Sequence, residues 1–266
     1  PSESKSLQAA WHKVALPRRR ALMEDVQNMG EDDTLLDFND LCRLALTDPD
    51  GYVRQLAVRT LAEYEPVDLL VDFLYLVEHD ADEQVRAACA SALGTFVYLG
   101  EIEELSQKKL HKIEEILLRV HQGTDTVLVR RRALEALGYS SREDLIPLIE
   151  HAYNLGERDW LLSALNAMGR SSNAIWSDKV AAMMDDQRAD VRAEAATAAG
   201  NLGIRSAAHR LMELLEDAHE DVRAAAIWAL TEIGGEGVRA RLQAMQDETE
   251  DEDEAELIES ALENLS

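Results

Sequence analysis

The feature that most limits what this chain can fold into is an internal repeat built on the dipeptide Val-Arg. It recurs in YVRQLAVRTL, QVRAACASAL, LVRRRALEAL, DVRAEAATAA and DVRAAAIWAL, placing arginines at 54, 86, 130, 192 and 223. The intervals are 32, 44, 62 and 31 residues. Because 62 is twice 31, a further copy belongs between Arg130 and Arg192, and DWLLSALNAMG over residues 159–169 fills that place with Trp160 in the valine position. A degenerate last copy, LIESALENL, covers residues 257–265. A period of 31–32 residues over about 48–265 marks a repeat array.

Each unit reads as two helices. In one, Ser206 to Glu216 predicts a first helix and Asp221 to Ile233 a second, with Asp221 as N-cap. Ser141 to Asp144 reads as a capping box. Such a pair cannot bury its apolar face alone, and stacking on neighbours does so. The expected fold is therefore all-α, a right-handed α-solenoid of about seven stacked helix pairs. Residues 1–47 supply N-terminal capping helices and a first-repeat helix, with Trp11 packed on the first full repeat. Residues 48–246 carry the repeats, and 247–266 form an acidic loop and a capping helix. About 12 extra residues before Arg130 form an insertion at about 95–128, to be absorbed by a longer second helix and a loop over Tyr98 to Glu104.

At 100° per residue, the apolar positions of the second helix fill an arc from about 340° to 140°, and the arginine falls inside it at about 100°. A guanidinium there needs a partner, because an unpaired buried charge is costly. Asp48, Asp80, Asp186 and Asp217 stand six residues before Arg54, Arg86, Arg192 and Arg223, and Asp125 lies one place beyond that position in the third unit. The fourth unit lacks both members, having Leu155 and Leu161. This predicts a structural Asp–Arg ladder that holds turns and neighbouring repeats in register.

The ladder motif D-x4-V-R-x2-A-x3-(L/A)-G resembles the HEAT-like repeats first noted in phycobilisome lyase subunits. That resemblance implies a protein-binding scaffold and, as an alternative, a lyase-like subunit or chaperone that handles a tetrapyrrole chromophore on a partner protein. Deoxyhypusine hydroxylase is similar in fold and binds di-iron through His-Glu pairs after Val-Arg. Here Gln55-Leu56, Ala87-Ala88, Arg131-Arg132, Ala193-Glu194 and Ala224-Ala225 follow, without a histidine. His219-Glu220 lies before its Val-Arg, and His111 with Glu115 has no further ligand at suitable spacing. No nucleophile elbow, P-loop or dinucleotide motif is present. The chain is expected to have no cofactor, metal or catalytic residue.

A net charge of -25 argues against nucleic acid and anionic membranes as partners. Residues 247–266 hold ten acids and no base, whereas the first 23 residues hold Lys5, Lys13, Arg18, Arg19 and Arg20 against Glu3 alone. A monomer, or weak head-to-tail self-association of those ends, is expected. The absence of an apolar signal core and two cysteines without CxxC spacing, Cys42 and Cys89, point to the cytoplasm. If second helices line the concave wall, Arg59, Arg131, Glu135, Asn166 and Trp228 project into it and bind another protein or a peptide segment.

Overall fold

The computed structural model describes residues 2–32, 37–64, 67–249 and 251–265, all in helices, turns or short connections, with no strand among them. The chain forms two compact units, Pro1–Ser140 and Ser141–Ser266. The first contains α1 (Ser2–Trp11), α2 (Leu16–Asp32), α3 (Asn39–Ala45), α4 (Gly51–Ala62), α5 (Leu70–His79), α6 (Glu83–Glu101), α7 (Gln107–Gln122) and α8 (Val127–Leu137). The second contains α9 (Ile146–Asn154), α10 (Arg158–Arg170), α11 (Ser177–Met183), α12 (Ala189–Asn201), α13 (Ala208–Leu214), α14 (Glu220–Ile233), α15 (Val238–Glu248) and α16 (Glu252–Asn264). Each unit is an α-solenoid stack of antiparallel pairs.

Within each unit the second helices pack on one another in series, α2–α4–α6–α8 and α10–α12–α14–α16. The glycine that closes the repeat motif makes this approach possible. A Cβ on Gly94 would stand 3.2 Å from the Ala136 backbone, and one on Gly200 would stand 2.9 Å from that of Ala229. The small residues next to these glycines thus bring backbones together. Valines of the Val-Arg dipeptide, Val53, Val85, Val129, Val191 and Val222, are wholly buried, and Trp160 takes the same role in α10.

Caps set the helix starts. Asp50, Asp82, Thr126 and Asp251 each accept from a backbone N–H of the first turn. Two expected caps differ. Helix α14 begins at Glu220 with His219 as N-cap, so Asp221 lies in its first turn. The Glu143–Leu145 turn has Arg142 as N-cap, with its guanidinium on the Asp144 carboxylate. The insertion lengthens α6 through Tyr98 to Glu101, leaving a shorter connection than the sequence suggests. Gly100 permits this, because a Cβ there would meet Leu110 at 2.8 Å.

Four of the five repeat arginines, 54, 86, 192 and 223, bridge successive repeats, whereas Arg130 donates to the His121 carbonyl of its own pair at 2.8 Å. Arg54 donates through Nε and Nη2 to the Asp80 carboxylate at 2.8 and 2.7 Å, and through Nη1 to the Asp48 carbonyl at 2.7 Å. Arg86 joins the Asp125 carboxylate to the Asp80 carbonyl, and Arg192 joins the Asp217 carboxylate to the Asp186 carbonyl. Arg223 joins Glu254 to the Asp217 carbonyl. The aspartate six residues earlier therefore offers its carbonyl, and the carboxylate partner belongs to the next repeat. The reason lies in the turn: the same carboxylate accepts the N–H two residues on, Asp50, Asp82, Arg188 or His219, which directs it away from its own arginine. Where the arginine is missing at Leu161, Asp186 is held by Arg188 instead. Asp48 is met from the N-terminal side by Arg19 and by the Trp11 indole N–H at 2.8 Å.

These pairs depress the acids. Arg192 holds the Asp217 carboxyl below the usual range, and Arg188 lowers Asp186 to about 2. Arg192→Met, Asp217→Asn and the double variant, compared by chemical denaturation, are predicted to show a coupling of about 1–2 kcal/mol, since the pair still touches water. The Asp217→Asn deficit should be fully present above about pH 4, where the unfolded aspartate is ionised, and should shrink as acid protonates the native carboxyl. Additive losses independent of pH would contradict the bridge.

Candidate partner-binding groove

An open groove of about 480 Å³ runs along the second helices of the first unit. Its floor is made of Ala87, Ala88 and Ala92, whose short side chains leave room over α6. Arg59 on α4 and Glu63 just past its end, Gln84 and Ser91 on α6, and Arg132 on α8 supply the polar walls. Arg59 is exposed and forms no ion pair among the described residues. The arrangement suits an extended segment: small residues allow close approach, and the long polar side chains can reach its flanks.

The expected groove residues divide. Arg59 lines the cavity. Arg131 and Glu135 are 9% and 7% exposed, so neither offers the open surface foreseen for it. Glu135 instead accepts from Arg132 at 2.6 Å, and Arg132 is the α8 residue that reaches the groove. Gln84 and Arg132 could have been found by noting that a groove between neighbouring helices collects residues flanking the face, not its centre.

In the second unit, Asn166 donates to Glu194 at 3.1 Å and is half-buried. Trp228 is 37% exposed and packs over Gly200, whose Cβ, if present, would meet the indole at 2.6 Å. It is thus seated on the preceding repeat with one surface free. A second cavity of about 240 Å³ lies between α14 and α16, floored by Ala224, Ile227 and Leu257 and edged by Glu220, Asp221 and Asp253.

Among the described residues, no group of three or more His, Cys, Asp and Glu side chains is placed to hold a metal. His111 and Glu115 are both exposed on α7. Cys42 and Cys89 are buried free thiols, and burial pushes the Cys42 thiol up to about 12. No described helix is long and apolar enough to cross a membrane. Of the basic N-terminal residues, Arg19 and Arg20 are engaged by Asp48 and Asp50, and the Lys5 side chain lies outside the described residues.

The Trp228 seat yields a direct check. Gly200→Ala is predicted to lower stability by about 1–3 kcal/mol, because the added methyl meets backbone on α14, and to shift tryptophan emission. Unchanged melting and emission would contradict this packing.

Comparison with known proteins agrees with the stack. A HEAT-repeat family profile matches residues 38–119 and 177–263. No curated protein matches the sequence significantly. Among solved structures, the complex of CpcE and CpcF of phycocyanin lyase from Nostoc sp. PCC7120 is 17% identical, with a TM-score of 0.55 over 87% of this chain and 96% of that one. Human deoxyhypusine hydroxylase is 16% identical, with a TM-score of 0.43 over 99% and 96%. A designed armadillo repeat protein in complex with the peptide (KR)4 is 18% identical, with a TM-score of 0.36 over 87% and 100%. With most of its length in matched repeats and the bridging arginines at the repeat period, the chain belongs to the HEAT-repeat family.

Proposed function

We propose that this protein is a noncatalytic scaffold or regulatory adaptor that holds a segment of another protein against its second-helix face. The observation that carries this reading is the open groove of the first unit, with an alanine floor and the exposed Arg59 at its wall. HEAT-type stacks use such extended surfaces for binding. A net charge of -25 disfavours nucleic acid and anionic membranes as partners, and the two buried free thiols suit the reducing cytoplasm. Trp228 is a second anchor of the residue type that dominates interface energies.

The alternative, a lyase-like subunit or chaperone handling a tetrapyrrole on a partner, draws on the likeness to phycocyanin lyase CpcE and CpcF. It requires the protein to shift the visible absorbance of an added linear tetrapyrrole, and the scaffold reading requires no shift.

The scaffold reading is tested by affinity capture with the native protein and with an Arg59→Ala/Ser91→Arg variant. Both substitutions are at exposed positions, and the second fills the groove. A partner held by the native protein should bind the variant at least about tenfold more weakly, the effect of losing an anchor worth about 1.4 kcal/mol. Identical partner lists and affinities would contradict a groove-binding scaffold.

A further inference from the structure

The insertion carries a surface that the groove reading leaves unused. Helices α5 and α7 are first helices of neighbouring repeats and each runs antiparallel to α6 between them, so they are parallel to one another. Glu78 and Arg119 tie them together at 2.9 Å. Seven residues, two turns, before each of these stand Val71 and Lys112, at matching height along the pair. Val71 and Tyr75 are 67% and 62% exposed. Beside them, Lys108, Lys109 and Lys112 are exposed and form no ion pair among the described residues. Asp72, Glu78 and Glu115 are acids of the same two helices, Glu78 is paired with Arg119, and the three lysines exceed the other two acids by one charge.

At the C-terminal end the charge pattern is inverted. Glu252, Glu256, Glu259 and Glu263 are exposed at spacings of 4, 3 and 4 residues, which places them on one face of α16. That face lies away from the buried Ile258 and Ala261. On α7, Lys108 and Lys112 share a face with Glu115 and with Arg119, which Glu78 holds. Each face runs over 12 residues, about 17 Å from first to last at the helical rise.

We propose that the α7 face of one molecule docks the glutamate face of α16 of a second copy of this chain. The faces match in length, Lys108 and Lys112 oppose the α16 glutamates in sign, and the exposed Val71 and Tyr75 add apolar area beside the charges. A membrane or nucleic acid would meet the repulsion of the whole acidic chain over long range. A second copy meets the same long-range repulsion, and the contact depends on the short-range match of the two faces within the screening length, about 10 Å at 0.1 M salt. The contact is heterologous, so each molecule can use both faces at once and association can continue beyond a dimer.

Sedimentation velocity over a concentration series tests this, using the full chain at about 0.1 M and about 1 M salt. The native protein is expected to show a sedimentation coefficient that rises with concentration at the lower salt and returns to the monomer value at the higher. Lys108→Glu/Lys112→Glu and Glu256→Lys/Glu259→Lys should each be monomeric alone, at least tenfold weaker in association, and should associate when mixed, because the reversed stripes again oppose. The second variant is less negative overall, so general repulsion predicts the opposite change for it. All four positions are exposed, and a variant that fails to melt like the native protein is replaced by its Gln counterpart. A native protein monomeric at every concentration, association that persists in either variant, or a mixture that stays monomeric overturns the proposal.

Discussion

The structure depends on one contact repeated along the chain: an arginine that grips the backbone of its own turn and the carboxylate of the next. A HEAT pair has no core of its own, so its energy lies at the interfaces between pairs. Hydrophobic burial there is large but allows sliding, because alanine and valine surfaces fit one another in several registers. The bidentate guanidinium does not allow it. Asp80 shows how much one side chain fixes: it accepts the Asp82 N–H, pairs with Arg54 and offers its carbonyl to Arg86. Asp217 does the same for His219, Arg192 and Arg223. Turn geometry and repeat spacing are thereby set by the same atoms.

Much of this was legible in the sequence because a period is a property of the chain alone. The Val-Arg spacing located the second helices, the copy at Trp160 and the longer α6. Aspartate and arginine were recognisable as partners, since they are absent together at Leu155 and Leu161. The direction of the pairing was not, because residues six apart in sequence and residues a repeat apart are equally near in a stack. Only the turn hydrogen bond decides between them. Arg19 and Glu254 escaped for a related reason: they end the ladder from helices that do not carry the motif.

The groove was less legible than the fold. Helical phase assigns a residue to a face, and on α4 that sufficed for Arg59. On α8 the same phase leads to Arg131 and Glu135, which are enclosed, while Arg132 reaches the cavity. Exposure depends on neighbours that no single helix reveals. Charge had the same limit. The basic residues at the N-terminus were conspicuous in sequence, yet Arg19 and Arg20 serve Asp48 and Asp50, whereas the lysines of α7 form no ion pair among the described residues.

The most direct measurement on the bridging arginine is hydrogen exchange of the native protein against Arg192→Met, followed by segment. If Arg192 joins two repeats, exchange should quicken at both turns it touches, around Asp186 to Arg188 and around Asp217 to Val222, while the turn at Asp48 to Arg54 keeps its protection. A change confined to α12 itself, with the turn at Asp217 unaffected, would contradict the account.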